Sequence, residues 1–161
     1  MLVCVSTGHA CEAPPEDQRA TPDGLIARSE NIVLAKVVKA EVLRGRNVLR
    51  GRNVRYDFEA IKNIAGSTKG KFHILGSPAI WEGDNRRFAD HREESFWERP
   101  IGRVSFETDC QIYPSFNVGG TYLLFLDKPY HPKGFEIIIR TNGSPDIKDK
   151  WLQYVESRVE A

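Results

Sequence analysis

The chain has 161 residues, and its 23 Lys or Arg and 22 Asp or Glu leave a formal net charge of +1. Hydrophobic residues make up 40% and charged residues 28% of the sequence, which indicates a folded globular protein and excludes a chain disordered throughout. A net charge this close to zero provides no global attraction to nucleic acid or to an anionic surface, so a basic site would have to be local. No apolar run reaches the roughly 18 residues of a membrane-spanning helix, and the length predicts one domain.

The first ten residues are mildly apolar and end in the small residues of a Gly-His-Ala sequence. This pattern is typical of the end of a signal peptide, so we expect residues 1–10 to be a signal-peptide remnant and Cys11 to begin the mature chain. The protein is then expected to be secreted or periplasmic, with Cys11 and Cys110 as its two remaining cysteines, able to close a long loop. The alternative is a cytosolic protein whose three cysteines are unrelated thiols.

Five segments have the pattern of β-strands. Residues 54–61 alternate most clearly, with Val54, Tyr56 and Phe58 on the side that we expect to face inward. The other four predicted strands are residues 31–43, 71–75, 120–126 and 135–140. Five antiparallel strands of this length close most economically into a small barrel of the oligonucleotide/oligosaccharide-binding (OB) type.

Two helical segments flank these strands. A short helical turn is predicted around Pro22–Ser29, and a longer helix at the C-terminus. Ser144 can cap that helix and Pro145 suits its first position. Its apolar side chains recur at helical spacing, at Ile147, Trp151, Leu152, Val155 and Val159. We expect this stripe to pack on the barrel.

Several short motifs occur in a recognisable order: Cys11 with an acidic, proline-containing lead-in, Ser29–Val38, Tyr56–Lys62, a Lys69-Gly70 turn and Gly120–Phe125. This order is similar to that of the netrin-like domain, whose best-known members are the tissue inhibitors of metalloproteinases. The resemblance implies a mainly β protein: a five-stranded OB-like barrel with a C-terminal α-helix, in one domain spanning residues 11–161. It also implies a secreted, non-enzymatic protein without a cofactor, in which Cys110 pairs with Cys11.

The resemblance further implies a mechanism and a partner. In these inhibitors, the free amine and carbonyl of the first cysteine chelate the catalytic zinc of a protease, an ion that accepts N and O donors at an open position. Cys11 would be that residue here, with Glu12 beside it, and the partner would be a protein such as a metalloproteinase. The sequence departs from the family at this point, because it lacks a Cys-x-Cys start.

A long insertion is predicted between the third and fourth strands, at about residues 76–108. It is rich in Trp and Arg, the residue types that often anchor protein interfaces. The candidate binding-loop residues are Trp81, Arg86, Arg87, Asp90, His91 and Trp97. A simpler interpretation is an amphipathic turn in which Phe96 and Trp97 pack on the barrel and the charges face water.

The same insertion offers a second alternative, a metal-dependent enzyme. Asp90, His91 and Glu94 supply the carboxylate and imidazole groups that divalent cations accept. The sequence contains no HExxH, GxSxG or GxxxxGK motif, so we expect a protein that is not an enzyme and has no resident metal.

The connection between the first two strands contains a tandem copy of the hexapeptide Leu-Arg-Gly-Arg-Asn-Val. The copy creates a basic hairpin containing Arg44, Arg46, Arg50 and Arg52. In OB barrels this loop contacts the ligand, so the hairpin suggests a nucleic-acid or polyanion partner. The alternative is a solvated hairpin tip that the duplication lengthened, because surface loops tolerate insertion at little entropic cost.

Overall fold

The computed structural model describes residues 16–44, 53–78, 90–100, 112–140, 142 and 144–161. The strands are β1 (Ile32–Val42), β2 (Val54–Ala65), β3 (Lys71–Gly76), β4 (Thr121–Phe125) and β5 (Phe135–Ile137). The helices are α1 (Pro22–Ala27), α2 (Glu94–Glu98) and α3 (Lys150–Val159), with single 3-10 turns at Glu16–Gln18 and Asp90–Arg92. In the described part of the chain, no helix has the length and apolar character needed to cross a membrane.

All five strands lie in one antiparallel sheet, in the order β3-β2-β1-β4-β5. The prediction of a mainly β fold with five antiparallel strands and a C-terminal helix is therefore confirmed. The predicted closure into a barrel is not confirmed, because no pairing among the described residues joins the edge strands β3 and β5. The register between β1 and β2 also shifts at three places, and such irregularities increase the bending of a sheet.

The inner face of the sheet curls around Phe116, which precedes β4. The centroid of the Phe116 ring lies 5.1 Å from the ring centroid of Tyr56 and 5.0 Å from that of Phe58, both on β2. It also lies 5.0 Å from Tyr122 on β4 and 5.7 Å from Phe135 on β5. One aromatic ring therefore contacts three strands. They include strands from both halves of the sheet, β3-β2 on one side of β1 and β4-β5 on the other, and all four partner rings are buried.

The helices cover the part of the outer face that β4, the first half of β1 and the end of β2 form. Ile32 and Leu34 of β1 face a second apolar cluster that contains Trp151 and Leu152 of α3, whereas Val33 belongs to the inner cluster. Both faces of β1 and β4 are thus buried where Ile32–Ala35 pair with Tyr122–Phe125. This explains why β4 is a continuous apolar run rather than an alternating one.

The C-terminal helix begins later than the sequence predicts. Residues 144–146 run beside the chain after β5 instead, since the amide of Arg140 donates to the carbonyl of Ser144 (2.8 Å) and that of Asp146 to the carbonyl of Ile138 (3.0 Å). The predicted cap at Ser144 is therefore wrong. Ile147, predicted in the apolar stripe, is 68% exposed because it precedes the helix.

Asp149 is the residue that caps α3. Its Oδ1 accepts hydrogen bonds from the amides of Trp151 (2.9 Å) and Leu152 (3.2 Å). Trp151, Leu152 and Val155 are buried as predicted. The cap also places the second carboxylate oxygen of Asp149 toward the interior, where it takes part in the site described next.

Candidate functional site

Residues 90–100, which belong to the predicted insertion, cross the outer face of the fold; we call this segment the strap. Phe96 is 3% exposed and packs edge-to-face on Trp151, with ring centroids 5.1 Å apart. The indole of the half-buried Trp97 donates to the carbonyl of His91 (2.9 Å). This packing agrees with the amphipathic-turn interpretation of Phe96 and Trp97, and Glu93, Glu94 and Glu98 are exposed.

His91 departs from that interpretation, because it is 2% exposed and lies between two carboxylates. Its Nδ1 is 2.6 Å from Oε2 of Glu136 on β5, and its Nε2 is 2.8 Å from Oδ2 of Asp149. The His91 backbone N–H donates to the same Glu136 oxygen (3.1 Å). One side chain of the strap is thereby bonded both to the sheet and to the start of α3.

These contacts determine the charge of the imidazole. Burial alone would lower the pKa of His91, but its hydrogen bonds to Asp149 and Glu136 outweigh burial and raise the pKa to about 9. His91 is therefore an imidazolium at neutral pH, with both ring N–H groups donating. Burial would raise the pKa of Asp149, but its bonds with His91 and with the amides of α3 hold that pKa below its usual value.

A second buried cation holds the other end of the strap. Lys133, in the β4–β5 connection, is fully buried, and its Nζ donates to the carbonyls of Phe96 and Arg99. The ammonium also lies 4.8 Å from the Phe96 ring centroid. Burial lowers the pKa of Lys133 to about 8, and the charge of Glu136 opposes that shift.

We call His91, Lys133, Glu136 and Asp149 the ionic cluster. Among the described residues it pairs two cations with two anions, so the burial of each charge is offset by an opposite charge. Breaking such a set by removing one partner leaves an uncompensated charge in a buried site, which is costly. The ionic cluster therefore fastens the strap to the fold.

A cleft of about 890 Å³ opens between the strap and the residues that follow β5, and His91 and Asp149 line it. Its remaining lining is Arg92, Glu93, Glu94, Trp97, Glu98, Ile139, Arg140, Asp146, Lys148 and Lys150. Lys150 stacks on Trp97, with Nζ 4.5 Å from the ring centroid. Because charges of both signs line the cleft, it offers no uniformly basic surface to a polyanion.

The geometry does not favour the metal-dependent enzyme. Both ring nitrogens of His91 are engaged as N–H donors, so this residue offers no free lone pair to a cation. Glu94 is exposed, and the side chain of Asp90 lies outside the described residues. Among the residues that the structure describes, no group of three His, Cys, Asp or Glu is arranged to hold a metal.

A second location of interest is the side on which the sheet stays open. A cavity of about 220 Å³ lies there between β3 and the β4–β5 connection. It is lined by Gln18, His73, Ile74, Leu75, Ile112, Lys128, Pro129 and Tyr130. Gln18, near the start of the described chain, therefore lies close to Ile112, which follows Cys110 by two residues. At the end of β3, the Ser77 amide donates to the Pro114 carbonyl (3.1 Å), and this bond holds the segment that contains Ile112 and Pro114 against the strand.

Most of the site residues predicted from the sequence lie outside the described residues. These are Cys11, Glu12, Arg46, Arg50, Arg52, Trp81, Arg86, Arg87 and Cys110. Of the basic hairpin, the structure describes Arg44, which is exposed beyond the end of β1. His91 and Trp97 are the two predicted binding-loop residues whose side chains are described, and both line the cleft.

The sequence reasoning missed Lys133, Glu136 and Asp149. Glu136 lies in the apolar run FEIIIR, where a lone carboxylate in a buried strand is a signal of a buried partner. Lys133 looks like an ordinary turn residue in the sequence, and Asp149 falls inside the predicted helix.

Comparison with models of known protein families gave no match, and comparison with curated proteins gave none either.

Proposed function

We propose that this chain is an exported, non-enzymatic binding protein of the netrin-like type, and that it inhibits a metalloproteinase through Cys11. The observation that carries the proposal is the cavity on the open side of the sheet. Gln18 and Ile112 line this cavity together, and each follows one of the two cysteines by a few residues. The proposal therefore places the mature N-terminus beside the segment that contains Cys110.

The lengths of chain involved support a Cys11–Cys110 disulfide. Gln18 follows Cys11 by seven residues, and Ile112 follows Cys110 by two. An extended chain spans at most about 3.3–3.6 Å per residue, so both cysteines can reach a common point from the two sides of this small cavity. A disulfide closing so long a loop would add about 4–5 kcal/mol of stability in the chain-entropy description.

The barrel is part of the same proposal. The strand order leaves β3 and β5 as the two edges of the sheet, and Phe116 lies between its two halves. Five strands in a partly open barrel satisfy this order, with the gap on the side of the cavity. The N-terminal segment would then emerge at a rim of the barrel, where it is accessible to a partner.

Inhibition would follow from the chemistry of a free N-terminal cysteine. Its α-amine and carbonyl oxygen are an N and an O donor in chelating positions, which suit the open coordination position of a catalytic zinc. The thiol, held in the disulfide, would keep the terminus rigid and so reduce the entropy lost on binding. Glu12 would enter the protease beside the zinc, and the burial of its carboxylate carries a desolvation cost.

The test compares two forms of the exported protein, one beginning at Cys11 and one with an added alanine before it. We expect the first to inhibit at least one member of a panel of purified zinc metalloproteinases, and the second to be at least 100-fold weaker, because an acylated nitrogen no longer chelates zinc. Glu12→Ala serves as the matched variant and should improve inhibition. Equal potency of the two forms, or no inhibition by a protein with a verified Cys11 terminus, would refute the proposal.

A further inference from the structure

Among the described residues, no strand pairing attaches the strap to the rest of the fold; side chains hold it, together with one backbone bond at its end, from the Ala20 amide to the Pro100 carbonyl (2.7 Å). His91 connects it to β5 and α3, Lys133 holds the carbonyls of Phe96 and Arg99, and Phe96 packs on Trp151. Of the inner-face core residues that the structure describes, none belongs to the strap. The strap can therefore separate from the outer face without disturbing the packing around Phe116.

The bond pattern of His91 makes the imidazole's part of this attachment depend on one proton. An imidazolium donates through both ring nitrogens, whereas a neutral imidazole has one N–H and one lone pair. After deprotonation, either Glu136 or Asp149 would face a nitrogen lone pair in a buried site and would lose its hydrogen bond to the ring. The strap would then lose the imidazole link to α3, or keep only the backbone N–H of His91 as its bond to Glu136 on the sheet.

We propose that the strap is a pH-operated wall of the cleft: loss of the His91 proton releases residues 90–100 from the outer face, while the curled sheet stays folded. Release would open the cleft and expose the ring of Phe96 together with the face of Trp151 beneath it. This device is separate from protease inhibition, because no residue of the ionic cluster belongs to the segment before α1.

The buried charged groups around His91 all hold the strap in place when His91 and Lys133 are protonated. Glu136 and Asp149 contact the ring directly, and Lys133 balances them from the β4–β5 connection. A neutral Lys133 amine keeps N–H donors for the two carbonyls but no longer compensates Glu136, so its deprotonation also loosens the strap. The other charged groups that line the cleft are Arg92, Glu93, Glu94, Glu98, Arg140, Asp146, Lys148 and Lys150. The strap also carries Arg99, which is exposed, and Asp90, whose side chain lies outside the described residues.

The second buried histidine allows the titration to be assigned. His131 lies in the β4–β5 connection, where its Nδ1 accepts from the Lys133 amide (3.1 Å). Burial, with the nearby charges of Arg28 and Lys133, lowers the pKa of His131 to about 3. It stays neutral over the range in which His91 loses its proton, so a buried imidazole that titrates near pH 9 identifies His91.

The test follows side-chain carbon–proton NMR signals from pH 6 to pH 11, because these signals survive where amide signals exchange away. We expect the Phe96 and Trp97 signals to collapse toward random-coil positions with the midpoint of the His91 titration. The methyl signals of Val37, Leu124 and Ile137, in the inner core, should keep their native dispersion at that midpoint. Simultaneous loss of both sets, or a strap that keeps native signals after His91 has titrated, would overturn the proposal.

Two variants make the test specific. Glu136→Gln removes a negative charge but keeps a hydrogen-bond acceptor, so the midpoint of strap release should fall by about one pH unit or more. Asp149→Asn should shift the midpoint in the same direction and covers the case in which the first variant does not fold. His73→Gln, at an exposed position on β3, is the matched control and should leave the midpoint unchanged. A midpoint that ignores both carboxylate variants would also overturn the proposal.

Discussion

Replacing Phe116 by alanine should lower the free energy of unfolding by about 3–5 kcal/mol, the range for a buried Phe whose removal leaves a cavity. The effect should lie at the upper end, because the ring contacts aromatic side chains on β2, β4 and β5 that cannot all move inward to fill the space. Edge-to-face contacts of this type also add to simple area burial. Urea unfolding followed by circular dichroism measures the loss.

Val118→Ala is the control for this experiment. Val118 lies two residues away and is 59% exposed, so its truncation should change stability by less than about 0.5 kcal/mol. A loss below about 1 kcal/mol in Phe116→Ala would show that the two halves of the sheet do not depend on this ring. The curled architecture would then need another explanation.

Replacing His91 by glutamine should make stability less dependent on pH in the alkaline range. The pKa of His91 is raised from about 6.5 unfolded to about 9 folded, so its protonation stabilises the fold fully below pH 6.5. This contribution disappears as the pH rises through 9. The shift corresponds to about 3 kcal/mol, since one pKa unit is worth about 1.4 kcal/mol and the ring is almost fully buried.

The measurement is the free energy of unfolding of wild type and His91→Gln at pH values from 6 to 10. The difference between the two proteins should shrink by about 3 kcal/mol across this range, and His73→Gln should track the wild type throughout. A constant difference would mean that His91 does not carry the charge assigned to it. On the acid side, the lowered pKa of Asp149 predicts that its contribution is lost only as the pH falls through that lowered value.

Local patterns predicted the strands well, because alternation and apolar runs reflect which faces a strand buries. Val54, Tyr56 and Phe58 face inward as predicted, and the buried run at β4 matches its position between two covered faces. The start of α3 could not be predicted in this way. Ser144 and Pro145 have good capping chemistry, but the pairing of this segment with the chain after β5 outweighed the local preference.

The ionic cluster could not be predicted from the sequence for a different reason. His91, Lys133, Glu136 and Asp149 are separated along the chain, and they meet only because β5, α3 and the strap converge on the outer face. Each residue looks ordinary in its own segment. The sequence predicts His91 as a binding-loop residue or a metal ligand; its bonds to Glu136 and Asp149, which fasten the strap, could be seen only in the fold.

The most direct test of the account is disulfide mapping and N-terminal sequencing of the protein recovered from an oxidising compartment. The account predicts a chain that begins at Cys11 and a single peptide pair joined through Cys11 and Cys110. A free thiol at Cys110, or a mature chain that starts elsewhere, would contradict the proposed attachment of the N-terminus at the open side of the sheet.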